Sequence, residues 1–468
     1  MNALSRWPTI AAGGILLGLA GGVLAEKRPS TMVVLCLIFA AVVGLAMLGD
    51  RAFPWAIVMV SVAPWYPFTE HSAAPTGINQ KAICTAIAAA PLAPWLWSLA
   101  LGGRRTRPSP RALLMGVLFA GLTLLIFSTL GRASKMIDTG VIGFLFIGVA
   151  FLCARRFVDL RGWPEAGFAG LAILLLLGVD AAFTAPGGRV GYFSGYPITY
   201  GALVVGLLPI ALLFAYSRSH LLAAVTAATT GVLLVLSESR SAWVATVVML
   251  LVLVALLVRR GNLRALALVG AAALLVVTLV IGTGSLHKVV EQRLSAKAAT
   301  STSVTHRTWS YSYATGQIGN RPLFGVGAPG YANTEAANRT SIGAIDNGYL
   351  SVTVDMGLIG LAAALIPIMV ALAVLLRCLR FGVNPPLELA LALGIVGMAV
   401  VTAFYDSFYW AQIDLLLGAM GGVLSLRINQ IAPAQAGLGA AQVGVEMRGR
   451  ETSPRSPLLA PGPRGVSL

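Results

Sequence analysis

Apolar runs of the length that a membrane demands follow one another along almost the whole chain, at 9–25, 31–48, 53–67, 81–101, 111–130, 138–154, 166–184, 198–216, 219–236, 241–258, 264–282, 349–376, 387–405 and 411–426. A helix rises about 1.5 Å per residue, so about 20 apolar residues cross the roughly 30 Å hydrocarbon core of a bilayer. Lipid offers no partner for a backbone N–H or C=O, so each crossing segment must close its own hydrogen bonds, and a helix does so. The expected fold is therefore all-α: a polytopic transmembrane helical bundle of about 12 to 14 helices spanning residues 1–429. The run at 53–67 is short and carries Pro54, Pro64 and Pro67, so it reads either as a span or as a re-entrant segment.

Composition agrees with a lipid-embedded chain. Hydrophobic residues make up 57% of the 468 and charged residues 11%, whereas soluble domains carry about 25% charged residues. A water-soluble fold of this size lacks the interior to hide so much apolar surface. The formal net charge of +16 has the magnitude of a nucleic-acid binder, but the Lys and Arg residues sit between apolar runs, as the positive-inside rule requires. Nucleic acid is excluded as a partner, and the bilayer takes its place. Cys36, Cys84, Cys153 and Cys378 lie in or at the edges of apolar runs without CxxC spacing, and read as packing residues. No cluster of Asp, Glu or His has the spacing of a metal site, so no metal or cofactor is expected. The first run lacks a small-residue cleavage site and is read as a span rather than a signal peptide. The tail 430–468, rich in Ala, Gly, Pro and Arg, is expected to be disordered and cytoplasmic.

Charge asymmetry orients the bundle. Arg104, Arg105, Arg107, Arg111, Arg155, Arg156, Arg161, Arg218, Arg259, Arg260, Arg264, Arg377 and Arg380 mark one set of connections. These alternate with 131–137, 185–197, 237–240, 283–348 and 406–410, whose short members are poor in Lys and Arg. The first set is assigned to the cytoplasm and the second to the outside. Lys27 and Arg28 break the pattern, which leaves the first two runs unassigned. The segment 283–348 then becomes one large extracytoplasmic loop, partly helical, with apolar spacing at Trp309, Tyr313 and Ile318 behind His306 and Arg307.

Charges in or beside spans are costly and concentrate at functional positions. Arg189 follows a Gly pair in 187-GGRVGYFSGYPITYG-201, where the bland alternative is an arginine beside lipid headgroups. Glu238 and Arg240 sit in the short turn 236-LSESRSAWVA-245, where the alternative is a solvated surface pair. Arg307 and Arg321 lie in the large loop, with His306 given little weight as a lone histidine. Asp346, Asn347 and Tyr349 open the run 345-IDNGYLSVTVDMGLIGLAA-363, with Asp355 inside it; an Asp at that place is also a common helix N-cap. Asp406 stands in the aromatic cluster 403-AFYDSFYW-410. The topology brings arginines, a carboxylate and several aromatics to one membrane face. Arginine grips phosphate through two parallel N–H donors. A partly desolvated carboxylate supplies a base for a hydroxyl. A diphosphate leaves readily once its charge is stabilised. Together these point to glycosyl transfer from a lipid diphosphate outside the cytoplasmic membrane.

The chain resembles the O-antigen ligase and polymerase superfamily. The resemblance rests on R-x-x-x-F at Arg189 to Phe193, S-R-S-A at Ser239 to Ala242, R-T-W at Arg307 and R-P-L-F-G-V-G at 321–327. The passage D-N-x-Y-L-x-x-x-x-x-x-G-L-I-G from 346 to 360 completes it. It covers residues 180–405. It implies a multi-pass enzyme of the cytoplasmic (inner) membrane whose active site faces outward and whose donor is a glycan on a polyprenyl (undecaprenyl) diphosphate. The acceptor is a saccharide or a glycolipid. It implies that Arg189 and Arg240 hold the diphosphate, and that Asp346, where family ligases carry a histidine, activates the acceptor. Arg307, Asn347, Tyr349, Glu238 and Arg321 become expected substrate-binding residues. Ligation and polymerisation both remain open. The competing class is a transporter or flippase of a lipid-linked or anionic solute, which would place ionisable residues near the midplane; only Asp180 and Asp355 lie that way.

Topology reporters fused after residues 108, 159 and 262 are expected to report cytoplasm, and fusions within 295–340 the outside. A cytoplasmic signal from the large loop would remove the basis of the functional reading.

Overall fold

The computed structural model describes residues 52–62, 147–148, 150–151, 154, 162–184, 190–191, 197–259, 270, 278, 302–327, 345–381, 385–406, 408 and 410–428. Among these residues the chain forms nine long helices: α1 (Ala52–Val62), α2 (Gly162–Thr184), α3 (Pro197–Arg218), α4 (His220–Leu236), α5 (Arg240–Arg259), α6 (Thr302–Asn320), α7 (Gly348–Phe381), α8 (Pro386–Thr402) and α9 (Ala411–Arg427). No strand occurs among them. The architecture is the all-α polytopic bundle read from the sequence. Four helices, α2, α3, α5 and α7, are long and apolar enough to cross a membrane, and α4 and α8 are shorter apolar helices. The runs at 9–25, 31–48, 81–101 and 111–130 and the tail 430–468 lie outside the described residues, as do most of 138–154 and 264–282.

Apolar helices of this kind must handle the few hydroxyl groups they contain. Thr226 donates to the Leu222 carbonyl (2.8 Å), Thr230 to Thr226 (2.7 Å) and Thr402 to Met398 (2.9 Å), so each side chain is satisfied within its own helix. Large apolar side chains such as Leu176, Phe183, Leu221 and Leu251 point outward and are exposed, which suits lipid and not water.

The centre of the bundle is α3, with Tyr200, Leu203, Leu207 and Ile210 fully buried. Small residues let its neighbours approach backbone to backbone, the usual way helices adhere in lipid. Gly394 of α8 packs on the Gly206 carbonyl of α3, and Gly397 sits against Val205 of α3 and Met249 of α5. Direction comes from ordered contacts. Gly201 of α3 on Ala242 of α5 sets the Pro197 and Arg240 ends together, and Gly167 on Ile210 with Gly178 on Tyr200 makes α2 antiparallel to α3. Gly418 on Ile147 and Gly422 on Phe151 make the stretch leading into α2 parallel to α9. With Arg427 of α9 paired to Glu388 of α8, the Thr402 end of α8 lies at the same end of the bundle as Pro197 and Arg240. Gly348 packs on Thr402 and its N–H donates to the Tyr405 carbonyl (3.2 Å), which brings the start of α7 to that same end. We refer to it as the α6 end, because α6 packs along the first turns of α7.

Two expectations need correction. The helix of the large loop begins at Thr302, so His306 and Arg307 lie within α6 rather than before it. Nor is α7 one continuous span. Gly357 takes φ 69° and ψ −169°, a left-handed, non-helical conformation that interrupts the helix. As a straight 34-residue rod α7 would measure about 50 Å, far beyond a hydrocarbon core. The break leaves Leu358–Phe381, about 36 Å of helix, to cross alone. The backbone groups freed by the break are taken up by the 321–327 segment. Val326 N–H donates to the Val354 carbonyl (2.8 Å) and Gly327 N–H to the Asp355 carbonyl (3.0 Å). In return Leu358 N–H donates to the Pro322 carbonyl (2.8 Å) and Ile359 N–H to the Leu323 carbonyl (3.4 Å).

Gly357→Ala therefore meets both an unfavourable φ and the Leu323 carbonyl, and should lower stability by about 1–3 kcal/mol. Gly316→Ala, in α6 where nothing lies within 4 Å of an added Cβ, should be neutral or stabilising. Thermal unfolding of the solubilised protein compares the two; equal midpoints would mean that the break is not under strain.

Candidate active site

The start of α7 meets α6 through a polar cluster. Arg307 Nε donates to Asp346 Oδ2 at 3.1 Å, with side-chain exposures of 44% and 22%. The Tyr311 hydroxyl donates to the Asp346 carbonyl oxygen at 3.3 Å. An ion pair so open to solvent contributes about 0–1 kcal/mol to stability; its consequence is orientation of an accessible carboxylate. Asp346 does not cap the helix. Asn347 does, its side-chain oxygen accepting from Leu350 N–H at 3.1 Å, which satisfies one of the open donors of the first turn. The Tyr349 hydroxyl donates to the Ala399 carbonyl at 2.8 Å, and its ring meets Phe408 edge-on at 6.0 Å. Tyr349 thus ties α7 to α8.

A second carboxyl stands behind the first. Asp406, buried between α8 and α9, accepts from the Ser351 hydroxyl at 2.8 Å. Burial pushes its carboxyl up to about 8; the Ser351 hydrogen bond pulls it down, and the charges of Asp355 and Asp346 push it further up. On α6, the Tyr313 hydroxyl is raised by burial and by the charge of Asp355. Ala314, Ile345 and Val354 form a small buried cluster under this layer, with Tyr311, Tyr313, Ile318, Val326 and Leu350 around it. His306 and Ser310 are fully buried on α6.

The α4–α5 turn lies at the same end. Ser237 caps α4 with its N–H on the Leu233 carbonyl (2.9 Å), Glu238 adopts φ 53°, and Arg240 begins α5 exposed to solvent. The turn is stapled by Trp243 Nε1 donating to the Leu234 carbonyl at 2.8 Å. Arg189 lies outside the described residues, but its neighbour Val190 donates its N–H to the Leu236 carbonyl at 3.2 Å. That bond joins the segment after Arg189 to the turn that holds Arg240. Arg321 is exposed just past α6.

Residues 225–365 match the family model described as O-antigen ligase. Over that stretch the chain is similar to O-antigen ligases. The four helices long and apolar enough to cross a membrane accord with that likeness. No curated protein matches the chain. The matched residues take in most of α4, the Glu238–Arg240 turn, α5, α6, the 321–327 segment and α7 through its break. Asp406 lies beyond the matched residues yet is bonded to Ser351 within them. From the sequence Asp406 is expected on the outer side within an aromatic cluster, and nothing there marks Ser351 as its partner; their 55-residue separation leaves no local signal.

The raised carboxyl has a consequence for stability. In the unfolded chain Asp406 ionises near its ordinary 3.8, and in the folded one near 8. Folding therefore favours the protonated form, and its contribution is complete below about pH 4 and is lost as pH rises toward 8. The melting midpoint of the solubilised protein should fall over that window, and Asp406→Asn should flatten the fall. An unchanged slope in the variant would show that Asp406 does not titrate in this way.

Proposed function

We propose that the chain is a glycan ligase or polymerase. It moves a glycan from a polyprenyl (undecaprenyl) diphosphate carrier onto an acceptor sugar or lipid-linked glycan, at the outer face of the cytoplasmic membrane. The observation that carries the reading is the accessible Arg307–Asp346 pair at the same end of the bundle as Arg240. The acceptor hydroxyl oxygen attacks the anomeric carbon of the donor, and the bond from that carbon to the diphosphate oxygen breaks. The electron pair leaves with the diphosphate, whose charge Arg189 and Arg240 offset. The hydroxyl proton passes to the Asp346 carboxylate, held in place by Arg307. Glu238, Asn347 and Tyr349 line the substrate side of this end, Asn347 and Tyr349 by keeping the first turn of α7 in position.

One feature favours transport instead. A discontinuous helix with a carboxylate at its break, as at Asp355, is the construction that many transporters use for a midplane site. The O-antigen ligase match supports transfer over transport, and the length of Leu358–Phe381 supports a break at the membrane edge rather than at its middle.

Purified protein supplied with a synthetic polyprenyl-diphosphate glycan and varied acceptors should form the glycosidic product and release the diphosphate carrier. Arg240→Ala should slow single-turnover transfer by about 10²–10³-fold, the usual loss for one charge-stabilising donor. Arg240→Lys should recover part of it, since an ammonium lacks the planar fork. Asp346→Asn should lose turnover, and Asp346→His should retain some. Full turnover in Arg240→Ala and Asp346→Asn would refute the assignment, and movement of intact substrate across vesicles without transfer would establish the transporter reading.

A further inference from the structure

The stitched break in α7 exposes an apolar ledge that the proposed chemistry does not use. Leu323 is 54% exposed, Phe324 53%, Leu358 47% and Ile359 37%. These four come from two segments held side by side by the hydrogen bonds of Leu358 to Pro322 and Ile359 to Leu323. Below the ledge, Leu358, Ala362, Met369, Leu372 and Leu376 are all exposed on α7. At about 100° per residue their spacing keeps them within one narrow face. An exposed, uniformly apolar stripe on a helix of crossing length faces lipid. Leu358 is its top member, so Leu323 and Phe324 sit directly on the upper rim of a lipid-facing surface. The composition changes abruptly there as well. The exposed positions of α6 include Ser312, Thr315 and Asn320, then comes the exposed Arg321, and then Pro322, Leu323 and Phe324.

We propose that the Arg321–Phe324 tip, together with Leu358 and Ile359, is an interfacial docking surface for phospholipid of the leaflet on the α6 side. Leu323 and Phe324 enter the boundary between headgroups and acyl chains, as the apolar face of a surface-lying segment does. Arg321 extends to the phosphate level, its charge matching the headgroup anion. The polar α6 stands outside the bilayer on this foot. The backbone bonds between 322–327 and 354–359 transmit the fixed depth to Asp355 and the first turns of α7. The Arg307–Asp346 pair is thereby held at a constant height above the plane where a lipid-borne diphosphate would lie. The docking itself does not depend on which reaction the chain performs.

The test uses the full-length protein in phosphatidylethanolamine–phosphatidylglycerol vesicles, with p-benzoylphenylalanine in place of Phe324 and, in a second variant, Leu323. The same photolabel at Met369 serves as the lipid-facing reference, and at Thr315 as the aqueous one. After irradiation, mass spectrometry of the labelled peptides reads phospholipid adducts. Yields at 323 and 324 should come within about threefold of that at Met369 and exceed that at Thr315 by about tenfold, as expected for a boundary position. Yields equal to that at Thr315 would overturn the proposal. So would adducts that form only when a polyprenyl diphosphate is added, which would make the ledge a groove for the donor instead.

Discussion

Lipid gives a broken helix nothing to bond with, and this constraint organises the α6 end of the protein. At Gly357 the helix ladder of α7 stops, leaving the carbonyls of Val354 and Asp355 and the N–H groups of Leu358 and Ile359 to be met from elsewhere. The 321–327 segment meets all four with its own backbone. A buried backbone group left unmet costs about 1–3 kcal/mol, so the break and the segment support each other. Glycine is required on both sides of the contact. Gly357 has φ 69° and Gly325 φ 67°, and a Cβ on Gly325 would come within 2.6 Å of the Asp355 carbonyl carbon.

From that junction the position of the candidate site follows. The segment before the junction is α6, and the segment above the break is the first part of α7, so the two are forced to run alongside each other. Arg307 and Tyr311 then face Asp346, and Tyr313 feels the charge of Asp355. The far side is closed by α8 and its connection to α9, through Tyr349 on Ala399, Gly348 on Tyr405 and Ser351 on Asp406. The outcome is a half-buried carboxylate paired with arginine in front and a buried, raised carboxyl behind it.

The spans were legible because about 20 consecutive apolar residues have one physical interpretation. The runs at 166–184, 198–216, 219–236, 241–258 and 411–426 end within a few residues of α2, α3, α4, α5 and α9. What failed to show in the sequence depended on partners distant in the chain. A glycine inside an apolar run is compatible with an unbroken helix, and G-L-I-G at 357–360 became a break only through contact with Leu323 and Phe324. The first turn of α6, Thr302–Thr305, carries no apolar periodicity, so the helix seemed to start later. The N-cap alternative for Asp346 was a fair local reading, and the cap exists; its neighbour Asn347 provides it. Asp406 and Ser351 carried no mutual signal, because a hydrogen bond across two helices is tertiary information.

The central claim is that Arg307 and Asp346 act as one unit in the transfer step. A double-mutant cycle measures this directly, with single-turnover transfer under saturating donor for wild type, Arg307→Ala, Asp346→Asn and the double variant. If the pair is a unit, the double variant will be about as slow as the slower single one, because breaking either partner already removes the oriented carboxylate. If the two losses instead multiply, the residues act independently and the contact between them has no part in the chemistry.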